Sequence, residues 1–376
     1  MSLQAACHCL DTPHFFCKMT MTNKSAAELI QNVKPTKARH LKKGPLALAK
    51  FLVDLFAQVK PRSPPSSTKT RHGRLITITP SHFCEKGRWG LDLVENDPGC
   101  DFYYSEDGHP PAFSSLAAVP ASKDVASQTP MVLLDGGEVI YGSDAVLKRF
   151  CPFLYPQELQ QEMEELEKDL HQRLGTTMRL YAYHHMLQEG YYDALCDVCT
   201  CQTSRVEAML FRNLISKGID RGLRKFMELN DTNAVLAKAT LEQVFEEISQ
   251  RLKNNGGKYI MDTPTKSYGF TAIDLTFASL AYLLIRPPEL RAFQCETDRI
   301  PPHVLDFCHE LASTEAGQHV LRMYREHRFG TFGSPERSNG RLVLLRQGPR
   351  DRLPWVEVSM VIGGFVALGI LVQNLF

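Results

Sequence analysis

The sequence predicts a mixed α/β lobe, then a larger all-helical lobe, and finally one helix long and apolar enough to span a membrane. Three observations predict this. From Arg74 to about Pro152, strand-length apolar runs alternate with helical spacing. From 156 to 330 only helical spacing recurs. From Val358 to Phe376 no charged residue occurs in 19 positions. At about 1.5 Å per residue, that run crosses a hydrocarbon core about 30 Å thick.

Composition sets the limits. A chain of 376 residues holds two modest domains with extensions, and its 43% hydrophobic and 23% charged content is that of a globular protein. With 43 Lys+Arg against 42 Asp+Glu, the net charge of +1 favours neither a nucleic acid nor an acidic ligand, and no nucleic-acid module is visible. The 11 cysteines are odd in number and irregularly spaced, without a secretory signal pattern, which points to a reducing compartment rather than a disulfide framework. Cys196-x-x-Cys199-x-Cys201 has no second ligand pair at zinc spacing and Cys308-His309 stands alone. These are read as structural thiols, with no metal.

Residues 1–73 read as a basic leader and linker, partly disordered. Lys34, Lys37, Arg39, Lys42, Lys43 and Lys50 occur with no acid between Glu28 and Asp54. Leu48, Phe51, Leu52, Leu55, Phe56 and Val59 share one helical face. Such a helix suits an anionic membrane, organelle targeting, or docking on its own protein. Pro61 to Gly73 is linker-like.

The first lobe, 74–152, opens with the alternating strand Leu75–Thr79, closed by Pro80. The turn Ser81-His82-Phe83-Cys84-Glu85-Lys86-Gly87-Arg88-Trp89 then leads into a helix marked by Trp89, Leu91, Leu93 and Val94. Cys100–Tyr104 reads as a second strand. After a loop rich in Pro, Ser and Ala, Met131–Leu134 and Val139–Ile140 flank Asp135-Gly136-Gly137, a hairpin signal because glycine supplies the positive φ of tight turns. Ser143-Asp144 is expected to cap a helix through Ala145, Val146, Leu147 and Phe150. The order β-α-β, then β-β-α, is the thioredoxin-like arrangement.

The all-α lobe, 156–330, begins with a long amphipathic stretch from Pro156 to Leu187. Further helices are expected around 205–229, 233–252, 271–285, 302–312 and 315–328, with Thr271-x-x-Asp274 as a cap. An arginine-bearing linker, 331–354, precedes the expected transmembrane helix, 355–376. Trp355 suits an interface, and the upstream arginines place both lobes on the cytosolic side of a membrane whose organelle stays open.

A strand that feeds a helix through a turn carrying a hydroxyl and a thiol is suited to sulfur chemistry. The helix N-terminus favours an anion, and a thiolate is one. Ser81 to Lys86 resembles the strand-to-helix turn of the glutathione transferase family, especially a bacterial-type branch. Phe270 to Ala278, Arg286-Pro287-Pro288-Glu289 and Thr314 to Arg328 resemble the same branch, so the resemblance covers about residues 74–328. It implies glutathione as a substrate, with the Ser81 hydroxyl donating to its sulfur and favouring the thiolate, which attacks a small hydrophobic electrophile. It implies that the main chain of Thr129 pairs with the cysteinyl part, beside Pro130 in cis, although an ordinary trans-proline entering an edge strand fits the same residues. It implies that Ser143 holds the γ-glutamyl carboxylate, flanked by Asp144, with Gly142 where many relatives carry an acid. Cys84 takes the last position of what is Cys-x-x-Cys in redox relatives. With Ser81 first, the dithiol mechanism is lost, which leaves a mixed disulfide or plain packing for Cys84. His82, Tyr103 and Tyr104 are alternative donors, and Arg88 and Trp89 are assigned to structure. A homodimer is compatible with the family. A second reading is a non-catalytic, membrane-tethered adaptor, similar to ganglioside-induced differentiation proteins or metaxins. Gly142 and the insert between Asp107 and Gln128 favour the adaptor, and the Ser-x-x-Cys turn favours an enzyme.

Overall fold

The computed structural model describes residues 70–328, apart from 98, 112–113, 115–128, 202 and 204. The basic leader, most of the linker before the first strand, the linker at 331–354 and the expected span at 355–376 lie outside the described residues. Among the described residues, no helix is long and apolar enough to cross a membrane.

The first lobe is a four-stranded sheet in the order β2-β1-β3-β4, with helices packed on it. β1 (Arg71–Ile78) runs parallel to β2 (Phe102–His109) and antiparallel to β3 (Met131–Leu134), which forms a hairpin with β4 (Val139–Tyr141). α1 (His82–Asn96) links β1 to β2, and α2 (Ser143–Phe150) follows β4. β1 starts at Arg71 rather than after Gly73, because Arg71 to Gly73 pair with Phe102 to Tyr104. β2 is displaced from the expected Cys100–Tyr104 toward its polar end. The strand tolerates Glu106 and Asp107 because each meets a partner from β1 or α1: Thr77 donates to Glu106 at 2.8 Å, and Arg74 Nε to Asp107 at 3.0 Å.

The second lobe is all-helical. α3 (Gln160–Asp169) runs through a π-helical stretch, Leu170–Thr176, into α4 (Thr177–Met186). α5 (Tyr192–Cys199) follows, a helix that periodicity alone does not separate. Cys196 and Cys199 are buried beside Phe211, and burial pushes both thiols up. α6 (Arg205–Leu210) and α7 (Ser216–Phe226) are joined by a π-helical turn, and the long α8 (Asp231–Asn254) comes next. α9 (Ala272–Ile285) is buried almost all round, as a central helix must be when apolar on every face. Its N-cap is Thr271, whose N–H and hydroxyl donate to Asp274 in the first turn at 2.9 and 2.8 Å; Asp274 also accepts from the Ile260 N–H at 2.9 Å. α10 (Pro302–Ser313) and α11 (Glu315–Met323) complete the lobe, the latter ending in a π turn at Tyr324–Arg328.

One apolar core runs through both lobes, from Leu75 and Trp89 to Phe245, Phe277 and Tyr324. α1 lies against α2 on one side and α9 on the other. Tyr282 of α9 donates its hydroxyl to the Pro80 carbonyl at 2.7 Å, pinning the start of α1 to the helical lobe.

The far end of β2 carries a second tie between lobes. Buried His109 lies 3.1 Å from Asp107 and 2.8 Å from Glu207 of α6. Burial opposes a charge on this imidazole, but the two carboxylates outweigh it and hold the pKa up at about 9. A pKa raised on folding adds stability that is complete below the unfolded value, about 6.5, and is lost as pH rises through the folded one. Unfolding free energy should therefore fall between about pH 6.5 and pH 9, by up to about 3 kcal/mol. Denaturant titrations across that range check this, and His109→Phe should flatten the dependence. An unchanged slope would refute the assignment.

Candidate functional site

The turn between β1 and α1 separates its two sulfur-relevant residues. Ser81 is the N-cap of α1, half-buried, and its Oγ accepts from the Cys84 N–H at 3.4 Å. Its extended backbone leaves the side chain at the positive end of the helix, where a hydroxyl and first-turn N–H groups favour an anion. Cys84 is a correction to the expected catalytic set. It is fully buried under the helix, with the Ile78 N–H 3.4 Å from its sulfur. Burial pushes its thiol up to about 11, only partly opposed by Ser81, Ile78 and the charge of Arg88. A neutral, sealed thiol neither attacks nor forms a mixed disulfide, so Cys84 is core.

His82 and the tyrosines are spoken for as well. His82 is buried, and its Nε2 donates to the Gly175 carbonyl at 2.9 Å, since a carbonyl can only accept. Burial, with Arg179 adding to it, lowers its pKa to about 3, so the ring stays neutral. Phe83 packs so tightly on Gly175 that a Cβ there would sit 2.7 Å from the ring. Tyr104 is buried and donates to Asp92 at 2.6 Å, while Tyr103 packs against His72 with the rings tilted by 45° and 4.9 Å between centroids.

The Thr129–Pro130 bond is cis, and the Pro130 carbonyl accepts from the Gly142 N–H at 2.9 Å. Pro130 lies against α1, where a Cβ on Gly87 would come within 3.0 Å of its ring. Ser143 differs from expectation. Gly142, at φ 80°, is the N-cap of α2, and Ser143 is its first helical residue, 3% exposed, with no hydrogen bond from its hydroxyl within the described residues. It lies at the helix end where a carboxylate would meet free N–H groups. Pro130 and the helix α2, which begins at Ser143, both pack on α1, and Ser81 lies at its start, about 9 Å before Gly87 along the axis.

Asp144 is the second correction. Its carboxylate is not free for a ligand's amino group, because it pairs with Lys86 and, at 2.9 Å, with His171. Burial would raise its pKa, but His171 and Lys86 outweigh that and hold it far below the usual carboxylate range. Lys86 is completely buried and also donates to Glu167 at 2.6 Å. Glu167 further accepts from Tyr155 at 3.0 Å. Lys86 is thus a tether from α1 to α2 and α3. Its neighbour Arg88 donates to Glu85 at 2.6 Å and to Glu106 at 2.6 and 2.9 Å. Arg328 then reaches back to Glu85 at 3.0 Å and Asp92 at 2.7 Å. Trp89 is fully buried between Tyr324 and Phe270.

Two residues that the sequence did not single out face the same region from α4. Gly175, Arg179 and Tyr183 recur at intervals of four, and so lie along one side of the helix. Tyr183 lines a small pocket with a cavity of about 20 Å³, with Pro111 just beyond β2, Leu187, Tyr192 and Phe211. The interval was visible in the sequence, but only the His82–Gly175 bond shows that this side meets α1.

No family model matches the chain, and no curated protein matches it. Among solved structures, glutathione transferase Omega 3C from Trametes versicolor is 10% identical, covering 79% of this chain and 96% of its own at a TM-score of 0.34. The beta-etherase LigF from Sphingobium sp. is 12% identical, with 67% and 99% covered and a TM-score of 0.39. A glutathione transferase from Methylobacterium radiotolerans, in complex with glutathione sulfonate, is 18% identical, with 66% and 94% covered and a TM-score of 0.30. Superpositions this loose carry no functional weight. The architecture stands on the chain's own strand order and element order: a thioredoxin-like four-stranded lobe followed by an all-helical lobe.

Proposed function

We propose that this chain binds glutathione along α1 and activates its thiol for attack on a hydrophobic electrophile. The carrying observation is the division within the turn: Ser81 caps α1 with a partly accessible hydroxyl, while Cys84 is sealed below. A hydroxyl donated to a sulfur anion stabilises it relative to the thiol, and the helix terminus adds to the same preference. Ser143, buried at the start of α2 and with no hydrogen bond from its hydroxyl among the described residues, supports a carboxylate at the other end of the ligand. A hydrogen bond to a charged group contributes about 1.5–3 kcal/mol. Ser81→Ala is therefore expected to lower kcat/KM toward a generic aryl halide about 10- to 100-fold. The wild-type, full-length protein is expected to be retained on immobilised glutathione, and retention should weaken in Ser143→Ala. Absence of retention, or retention and turnover indifferent to both substitutions, would overturn this reading.

The adaptor reading keeps one specific support, the engagement of Asp144 by Lys86 and His171 beside Gly142, which leaves no free acid at the position where a ligand's amino group is expected. Retention without turnover would favour it.

The same proposal places both lobes at a cytosol-facing membrane surface, held by residues 355–376. The uncharged run from Val358 to Phe376 supports this. Deleting 355–376 is expected to move the protein from the membrane pellet to the soluble fraction; persistence in the pellet would defeat the anchor.

A further inference from the structure

Ser81 is held from the helical lobe on both sides. Its own backbone is satisfied locally: its N–H donates to the Ile78 carbonyl at 2.9 Å, and its carbonyl accepts from the Glu85 N–H at 2.9 Å. Those bonds shape the turn without fixing how it sits against the second lobe. Its two chain neighbours do that. The Pro80 carbonyl accepts from the Tyr282 hydroxyl of α9 at 2.7 Å, and His82 Nε2 donates to the Gly175 carbonyl at 2.9 Å.

The first of these bonds bears directly on Ser81. A peptide unit is planar, and the plane that carries the Pro80 carbonyl also carries the Ser81 nitrogen and Cα. The second bond holds the residue on the other side, the first of α1. With both neighbours fixed, the Cα–Cβ bond of Ser81 has one direction, and only χ1 is left to aim the hydroxyl. The anchors are themselves packed in. Tyr282 is 1% exposed on a helix buried almost all round, and Gly175 is pressed against Phe83. Both donors also keep their protons through the neutral range: burial lowers His82 to about 3, so that its ring is neutral, and pushes the Tyr282 phenol well up.

A hydroxyl that stabilises a thiolate works only when it is aimed at the sulfur, and a displacement of about 1 Å can cost about 100-fold in rate. We propose that Tyr282 is a positioning residue for Ser81, with His82 as its counterpart across the turn, so that the helical lobe sets the aim of a hydroxyl carried by the first lobe. This rests on the glutathione reading for the chemistry that the hydroxyl serves; the hold on the turn does not depend on it.

Tyr282→Phe keeps the ring and removes the bond. In the full-length protein it should lower kcat/KM toward a generic aryl halide about tenfold and move the thiolate limb of the pH profile to higher pH. In a Ser81→Ala background the same change should cost no more than about twofold, because a residue that acts through Ser81 has nothing left to place. His82→Phe should follow the same pattern. Hydrogen exchange read by mass spectrometry gives a measure that needs no ligand: the amides of 82–85 should exchange about tenfold faster in Tyr282→Phe, with those of 91–95 unchanged. Turnover within about twofold of the wild type, or an equal loss with and without Ser81, would overturn the proposal. A wild type that neither retains nor turns over glutathione would defeat the glutathione reading. Exchange then decides alone: faster exchange at 82–85 upholds the hold on the turn, and unchanged exchange ends it.

Discussion

Replacing Lys86 with methionine should destabilise the fold by about 3–5 kcal/mol, the usual consequence of leaving a buried counter-charge alone. Methionine keeps an unbranched apolar stem, so the change removes the charge more than the packing. Left behind is Glu167, whose carboxylate is 4% exposed and whose next nearest cation, Lys148, stands 4.0 Å away. Asp144 fares better, since His171 stays within 2.9 Å and the carboxylate is 41% exposed. The loss should therefore be concentrated on Glu167. Urea unfolding of Lys86→Met gives the cost, and adding Glu167→Gln should recover a substantial part of it, because a neutral amide is cheaper to bury than an unpaired carboxylate. A Lys86→Met stability within about 1 kcal/mol of the wild type would show that the tether is not what joins α1 to α2 and α3.

Arg88→Met should cost a similar amount, about 3–5 kcal/mol, through different partners. The guanidinium holds Glu85 and Glu106 apart, each with 1% of its side chain exposed. Without it, Glu106 loses the fork on its two oxygens and keeps the Thr77 hydroxyl, while Glu85 still has Arg328 at 3.0 Å. Arg88→Lys should recover only a fraction, because an ammonium cannot reproduce the planar fork that meets both oxygens of Glu106. Chemical denaturation of the three proteins, read by circular dichroism, decides this. Full rescue by lysine would contradict the bidentate argument.

These substitutions show how much of the molecule is legible in its sequence. The hairpin around Asp135-Gly136-Gly137, the Thr271-Asp274 cap and the main helices of the second lobe obey local rules of turn chemistry and periodicity, and they appear in the structure close to their expected places. The charged half of the Ser81–Trp89 turn obeys no local rule. Arg88 is assignable to structure but not to its partners, and nothing local marks Glu85 and Lys86 for burial; each is buried because counter-charge comes from a distant element: Asp144, Glu167, Glu106 or Arg328. The same nonlocality hid the extent of β2, whose Glu106, Asp107 and His109 are at home in a strand only once Arg74, Arg88 and Glu207 are placed. At the candidate site, Ser81 could be read from its place before a helix. The sealing of Cys84, the engagement of Asp144 and the approach of Arg179 depend on helices folding back from more than twenty residues away.

The π-helical stretch at Leu170–Thr176 acts as an angular setting for the helices beyond it. Each residue added to or removed from a helix turns the remainder of that helix by about 100°. Deleting one residue from this stretch would swing Arg179 and Tyr183 a quarter-turn or more from their present side, while α3 before it kept its seat. A chain built this way can change which side chains its second lobe shows to the first by a single codon's insertion or loss, leaving the first lobe untouched.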